Sequence, residues 1–183
     1  WSPGLAHNNT IDYITFATTG NATDFGDSTS NRRNEGACSS NTRGLIAGGE
    51  YSSNNIIEYI TIATTGNALD FGDLSSNRNQ LTACSDGDRG LFAGGEPNTN
   101  TIEYVTIATT GNVTDFGDLT TGYRRTGCAC ASSVRGIFAG GYTGVQSDVI
   151  DYVTIATTGN ATDFGDLTAN RTSITGGCSN GSR

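Results

Sequence analysis

Histidine is almost missing from this chain: His7 is the only one in 183 residues. A serine-histidine-acid triad or a facial metal site is hard to build around one imidazole near the start of the chain. Methionine is absent, proline occurs twice and tryptophan once. The missing initiator Met fits a processed product or a fragment. Charge is also sparse: 15% of residues are charged, and the net charge is −8. A phosphate-binding surface carries a basic patch, so this balance argues against a nucleic-acid partner. No apolar run approaches the roughly 18 residues that span a bilayer, so membrane insertion is not expected. No signal peptide is read at the start either.

Glycine fills much of the space that charge leaves, with 26 residues, and Thr, Ser and Asn are abundant. Such a chain, rich in β-branched residues and turn formers, points to many short strands joined by tight connections rather than to disorder. Internal repetition then dominates the reading. Four segments align: IDYITFATTGNATDFGD from Ile11, IEYITIATTGNALDFGD from Ile57, IEYVTIATTGNVTDFGD from Ile102 and IDYVTIATTGNATDFGD from Ile150. Tyr13, Tyr59, Tyr104 and Tyr152 stand 46, 45 and 48 residues apart. Between these blocks lie RGLIAGGE from Arg43, RGLFAGGE from Arg89 and RGIFAGGY from Arg135. A cysteine precedes each of those arginines by five residues (Cys38, Cys84, Cys130), and Cys178 with Arg183 repeats the spacing.

Each repeat reads as four antiparallel strands: one through the Cys, one through GLFAGG, one through IEYVTIAT, and one beginning at DFGD. TTGN reads as a hairpin turn between the last two, because Gly and Asn tolerate positive φ. The third strand holds apolar residues on both faces, which predicts cover on both sides. A blade wedged between two blades has that environment, and a period of 40–50 residues with a Gly-Gly signature suits a propeller better than a solenoid of parallel coils. The expected fold is all-β: one small propeller of four blades, with repeats at about 1–43, 44–89, 90–135 and 136–183. The N- and C-terminal strands would close the ring. Because the opening strand is short and His7-Asn8 replaces Gly-Gly, three readings stay open. The closure is imperfect, the chain is cut from a longer array, or two chains complete one ring as a homo-oligomer.

The block of RG-aliphatic-aromatic-AGG, IEY(I/V)TIATTGN and DFGDL resembles repeats of virion and tail-fibre proteins of marine bacteriophages, over about residues 11–183. Its double glycine also resembles kelch-type propeller repeats, although the kelch Tyr and Trp spacing is missing. The phage resemblance implies a structural or host-contact role in a phage particle, outside the cell, with other virion proteins or a bacterial surface glycan as partners. It implies no known activity.

The residues themselves offer few candidates for chemistry. The aspartates of DFGD (Asp24/Asp27, Asp70/Asp73, Asp115/Asp118, Asp163/Asp166) could serve calcium, but their oxygen ligands are sparse. The favoured reading is structural: one Asp of each pair caps a turn, and Asp27, Asp73, Asp118 and Asp166 pair with Arg43, Arg89, Arg135 and Arg183 to fix blade register. Cys38, Cys84, Cys130 and Cys178 would ring a central channel if the first strand is innermost. A four-thiolate zinc site normally draws on CxxC knuckles, which are absent, so packing between blades is preferred over metal or disulfides. No metal or cofactor is therefore expected. The aromatics that break the repeat, Tyr51, Tyr123 and Tyr142, are the candidate ligand-binding residues, because loops on a rigid scaffold carry function. A non-catalytic module that binds host-surface glycans or proteins is the leading expectation. An architectural spacer or decoration is second, and a polysaccharide-degrading enzyme is third, since four uniform carboxylate sets give no distinct acid and base.

Overall fold

A computed structural model describes residues 9–50, 55–174 and 176–181. Among them the chain is all-β, with fourteen strands in four antiparallel sheets. The first sheet holds two strands, β1 (Thr10–Tyr13) and β2 (Thr23–Asp27). The second is β3 (Gly36–Ser39), β4 (Arg43–Ala47), β5 (Ile56–Thr61) and β6 (Leu69–Asp73), in sequence order. The third repeats this with β7 (Thr82–Ser85), β8 (Arg89–Ala93), β9 (Thr101–Thr106) and β10 (Thr114–Asp118). The fourth does so with β11 (Cys128–Ala131), β12 (Arg135–Ala139), β13 (Ser147–Thr154) and β14 (Thr162–Arg171). The expected order of four strands per repeat thus holds in three sheets, each a simple meander.

The Gly-Gly pair ends the second strand for a conformational reason. Gly48 and Gly49 take φ of 69° and 107°, a left-handed region that a side chain resists. A methyl group on Gly48 would also lie 2.4 Å from the Arg78 carbonyl oxygen. The TTGN segment behaves differently from the expected hairpin. In the second sheet the connection between β5 and β6 runs from 62 to 68, and its Gly-Asn pair leaves its own sheet to bond the preceding one.

The third strand is covered on both faces, as its two-sided pattern predicts. One core packs Leu45, Ile57 and Phe71 of the second sheet with Phe92, Val105 and Ile107 of the third. Another packs Leu91, Ile102 and Phe116 of the third with Phe138, Val153 and Ile155 of the fourth. The third sheet therefore contributes to both cores. Each fully buried Leu, Ile or Phe there is worth about 1.5–3 kcal/mol of transfer free energy. Tyr59, Tyr104 and Tyr152 stand edge-on to Phe71, Phe116 and Phe164 at 6.1, 5.8 and 5.9 Å.

The described residues do not show a closed ring, and no sheet closes on itself. Phe25, Phe71 and Phe116 are buried, but Phe164 is 54% exposed. The repeat is broken at the fourth because no further sheet among the described residues covers β14.

Candidate functional site

Sheets are joined by a connection that recurs three times. After β2, β6 and β10, the chain carries a buried arginine: Arg32, Arg78 and Arg124. Each pairs with an acid in the third strand of the following sheet. Arg32 Nη2 lies 2.5 Å from Glu58, Arg78 Nη2 pairs with Glu103, and Arg124 Nη2 lies 3.0 Å from Asp151. The other terminal nitrogen donates to a carbonyl of the following sheet, Gly48 at 3.2 Å, Gly94 at 3.1 Å and Phe138 at 3.1 Å. Thr29 and Thr120 hydroxyls also donate to Glu58 and Asp151. Burial pushes Arg78 and Arg124 below the usual guanidinium range, and their acids pull them back up. A charge buried to this degree needs its partner, so each pair ties one sheet to the next.

This network differs from the sequence expectation. Asp27, Asp73 and Asp118 form no ion pair with Arg43, Arg89 or Arg135 among the described residues. Their backbone N–H groups instead donate to the side-chain oxygens of Asn67, Asn112 and Asn160, at 3.0, 3.0 and 3.1 Å. Arg43 and Arg89 donate to the following sheet, to the Ile107 and Ile155 carbonyls, at 3.0 and 2.8 Å. Arg43, Arg89 and Arg135 lie over the rings of Tyr59, Tyr104 and Tyr152, at 4.5, 4.7 and 4.6 Å. The stacking replaces the anticipated carboxylate partner. Asp166 is likewise without an Arg partner among the described residues, and Arg183 lies outside them. The turn-capping Asp is present in the fourth repeat, where Asp163 accepts from the Gly165 N–H at 3.0 Å.

The first strands β3, β7 and β11 line a cavity of about 690 Å³ together with the C-terminal stretch around Ile174 and Cys178. The sequence places the cysteines on this wall, and the structure brings Cys38, Cys84, Cys130 and Cys178 to it. All five cysteines are free thiols. Among the described residues, no three of His, Cys, Asp and Glu gather as a metal site. Cys38 explains one glycine: a methyl group on Gly90 would sit 2.8 Å from its sulfur.

Burial pushes the Cys38 thiol up to about 12, and Cys84 is raised as well by burial and then by neighbouring charges. Against an ordinary value of 9.0, Cys38 then holds about a thousandfold less thiolate at neutral pH. Maleimide or iodoacetamide should label the exposed Cys178 quickly, the half-buried Cys38 more slowly, and the buried Cys84 only on unfolding, as peptide mass spectrometry would reveal. Equal labelling rates would contradict the packing. Because these folded pKa values are raised, the native state should hold its stability below pH 9 and lose it as pH rises from there toward 12.

One mouth of this cavity is polar. Asn34, Gln80, Thr126 and Ser173 line it, and all four take φ between 55° and 61°. Left-handed backbone at a threonine costs free energy and persists only where surroundings enforce it. Here hydrogen bonds enforce it, passing from sheet to sheet: Gln80 N–H to Asn34 carbonyl, Thr126 N–H to Gln80 carbonyl, and Ile174 N–H to Thr126 carbonyl. Beside Thr126, Arg125 lies 5.0 Å from the Tyr142 ring centre and donates to Glu96 at 2.6 Å. The phenol of Tyr123 approaches Gly144 of the loop after β12, where a methyl group would meet it at 3.0 Å. Tyr123 and Tyr142 therefore border one loop near Thr126, each half-buried, and neither lines the cavity itself. Tyr51 lies outside the described residues. The repeated Arg–acid joints and the strained mouth residues were missed from sequence. The signal available for the joints was an acid in an apolar strand, and an arginine recurring at Arg32, Arg78, Arg124 and Arg171.

No protein-family model matches the chain, and no curated protein matches it.

Proposed function

We propose that this chain is a non-catalytic binding module of propeller type, with its sheets as blades, and that the loop bordered by Tyr123 and Tyr142, beside the polar mouth, contacts glycans. The phage resemblance of the repeats suggests a virion or tail-fibre setting and a bacterial surface as the partner. The observation that carries the binding reading is the break in symmetry at this loop. Glu50 and Glu96 follow the Gly-Gly pair in two sheets, whereas Tyr142 stands there in the fourth, held by Arg125. A half-buried phenol braced by a guanidinium offers a flat face and polar rim, the pairing that sugar rings use.

A bacterial glycan array probed with the purified chain, alongside Tyr142→Ala and Tyr123→Ala variants, tests this. Selective binding that falls about tenfold or more in the Tyr142→Ala variant, the loss of about 1.4 kcal/mol, is the expected result. Binding that both variants retain would place the ligand elsewhere, and no binding at all would favour the architectural role. That second role has its own support in the exposed Ile14 and Phe16, the latter 99% exposed, which suit contact with another protein.

A further inference from the structure

The internal joints are built from two complementary halves, and each end of the array presents one half unengaged. The leading half belongs to the sheet that comes first. It supplies the DFGD backbone, the arginine after it, and the arginine that opens the second strand. The trailing half belongs to a following sheet and supplies the Gly-Asn-Ala segment, the acid of the third strand and the residue two positions past its valine or isoleucine. In the second joint these halves meet in three places. Gly111 and Val113 N–H donate to the Phe71 and Asp73 carbonyls, at 2.8 and 3.0 Å. Arg78 pairs with Glu103. Arg43 reaches the Ile107 carbonyl at 3.0 Å.

The first sheet carries a complete trailing half that no other described residue engages. Asp12 occupies the position of Glu58, Glu103 and Asp151, yet it is exposed. Gly20, Asn21 and Ala22 match Gly66, Asn67 and Ala68, and Ala22 is exposed where Ala68 is buried. Phe16 is 99% exposed, where the matching Ile107 and Ile155 are buried and Ile62 is 45% exposed. The fourth sheet carries the complete leading half. Arg171 matches Arg32, Arg78 and Arg124, but its side chain is exposed and without a partner among the described residues. Nothing lies within 4 Å of a methyl group on Gly165, whereas one on Gly26, Gly72 or Gly117 would strike the backbone of a following turn at 2.3 to 2.5 Å. Arg135, the match of Arg43 and Arg89, is exposed as well.

We infer that a second copy of this chain docks head to tail on these ends, with its Asp12, Phe16 and Gly20–Ala22 seated on Arg171, Arg135 and Phe164–Asp166 of the first. The charges are complementary, the backbone geometry continues a joint formed three times within the chain, and the apolar Phe16 and Phe164 would leave water. Each copy carries both halves, so the contact can repeat from one copy to the next. Such a heterologous contact generates a ring if its rotation closes and a filament if it does not.

Sedimentation velocity across a concentration series tests this on the whole chain and two charge reversals, Asp12→Arg and Arg171→Asp. The wild-type chain should self-associate. Each variant alone places like charges across the joint and should associate at least about tenfold more weakly. Mixing the two variants in equal amounts should restore association, because every contact between unlike chains then joins opposite charges. Both sites are exposed, so unchanged circular dichroism is expected, and Asn21→Ala provides a neutral variant that should weaken assembly in the same direction. A wild-type chain that stays monomeric throughout, as closure by its own ends would make it, overturns the inference. So does a mixture that fails to recover. Neither result bears on glycan binding, which the array reads separately.

Discussion

Arg78→Met should destabilise the chain by about 3–5 kcal/mol, because it leaves the Glu103 carboxylate buried beside an apolar side chain. Both side chains are essentially sealed from water, at 1% and 2% exposure. The same change orphans the Gly94 carbonyl, which accepts from Arg78 at 3.1 Å. Adding Glu103→Leu should recover at least half of the loss in urea unfolding, since a buried pair replaced by apolar groups of like size is often neutral. The recovery should be incomplete, because an unsatisfied buried carbonyl costs about 1–3 kcal/mol whatever stands at 103. If Arg78→Met alone costs no more than the exposed pair Arg33–Glu50 is worth, under about 1 kcal/mol, the buried joint does not hold the sheets together.

The architecture was legible in the sequence to the level of strands, and the joints between sheets were not. The 46-residue spacing of the tyrosines, the Gly-Gly stop and the two-sided third strand each report on a local environment, and each environment is there. Partner choice is a different kind of information. Arg43 and Asp27 recur with equal regularity, so regularity alone paired them. The structure sends Arg43 instead to Tyr59 and to Ile107, 64 residues ahead. Glu58 sits in a strand covered on both faces, and an alternating pattern does not say that Arg32, 26 residues earlier, meets its carboxylate. The TTGN segment misled for a related reason. Gly and Asn suit a tight turn, but here the Gly66 backbone passes so close to Gly26 that a methyl group on Gly26 would meet the Gly66 carbonyl oxygen at 2.4 Å, a contact between repeats that leaves no local signature. Broken symmetry marks Tyr123 and Tyr142 in the sequence, and the structure sets Tyr123 against Gly144 in the loop that holds Tyr142.

Gly72→Ala should disrupt the joint between the second and third sheets. The added methyl would lie 2.3 Å from the Gly111 carbonyl oxygen, and both groups are backbone, so neither can rotate away. Overpacking of this kind costs about 1–3 kcal/mol, and the φ of 149° at Gly72 adds strain for any residue with a Cβ. The consequence should extend beyond a lower midpoint. Repeat arrays hold together through nearest-neighbour terms, so weakening the joint between the second and third sheets weakens what couples one half to the other. Unfolding followed at Tyr and at far-ultraviolet circular dichroism should separate into two transitions in the Gly72→Ala variant, where the wild-type chain shows one. Gly165→Ala is the matched control: its φ of 134° carries comparable strain, but nothing stands within 4 Å of the new methyl group. That variant should keep a single transition at low protein concentration, with a smaller loss of stability. Similar losses in both variants would mean that backbone strain, and not the contact between sheets, sets the cost.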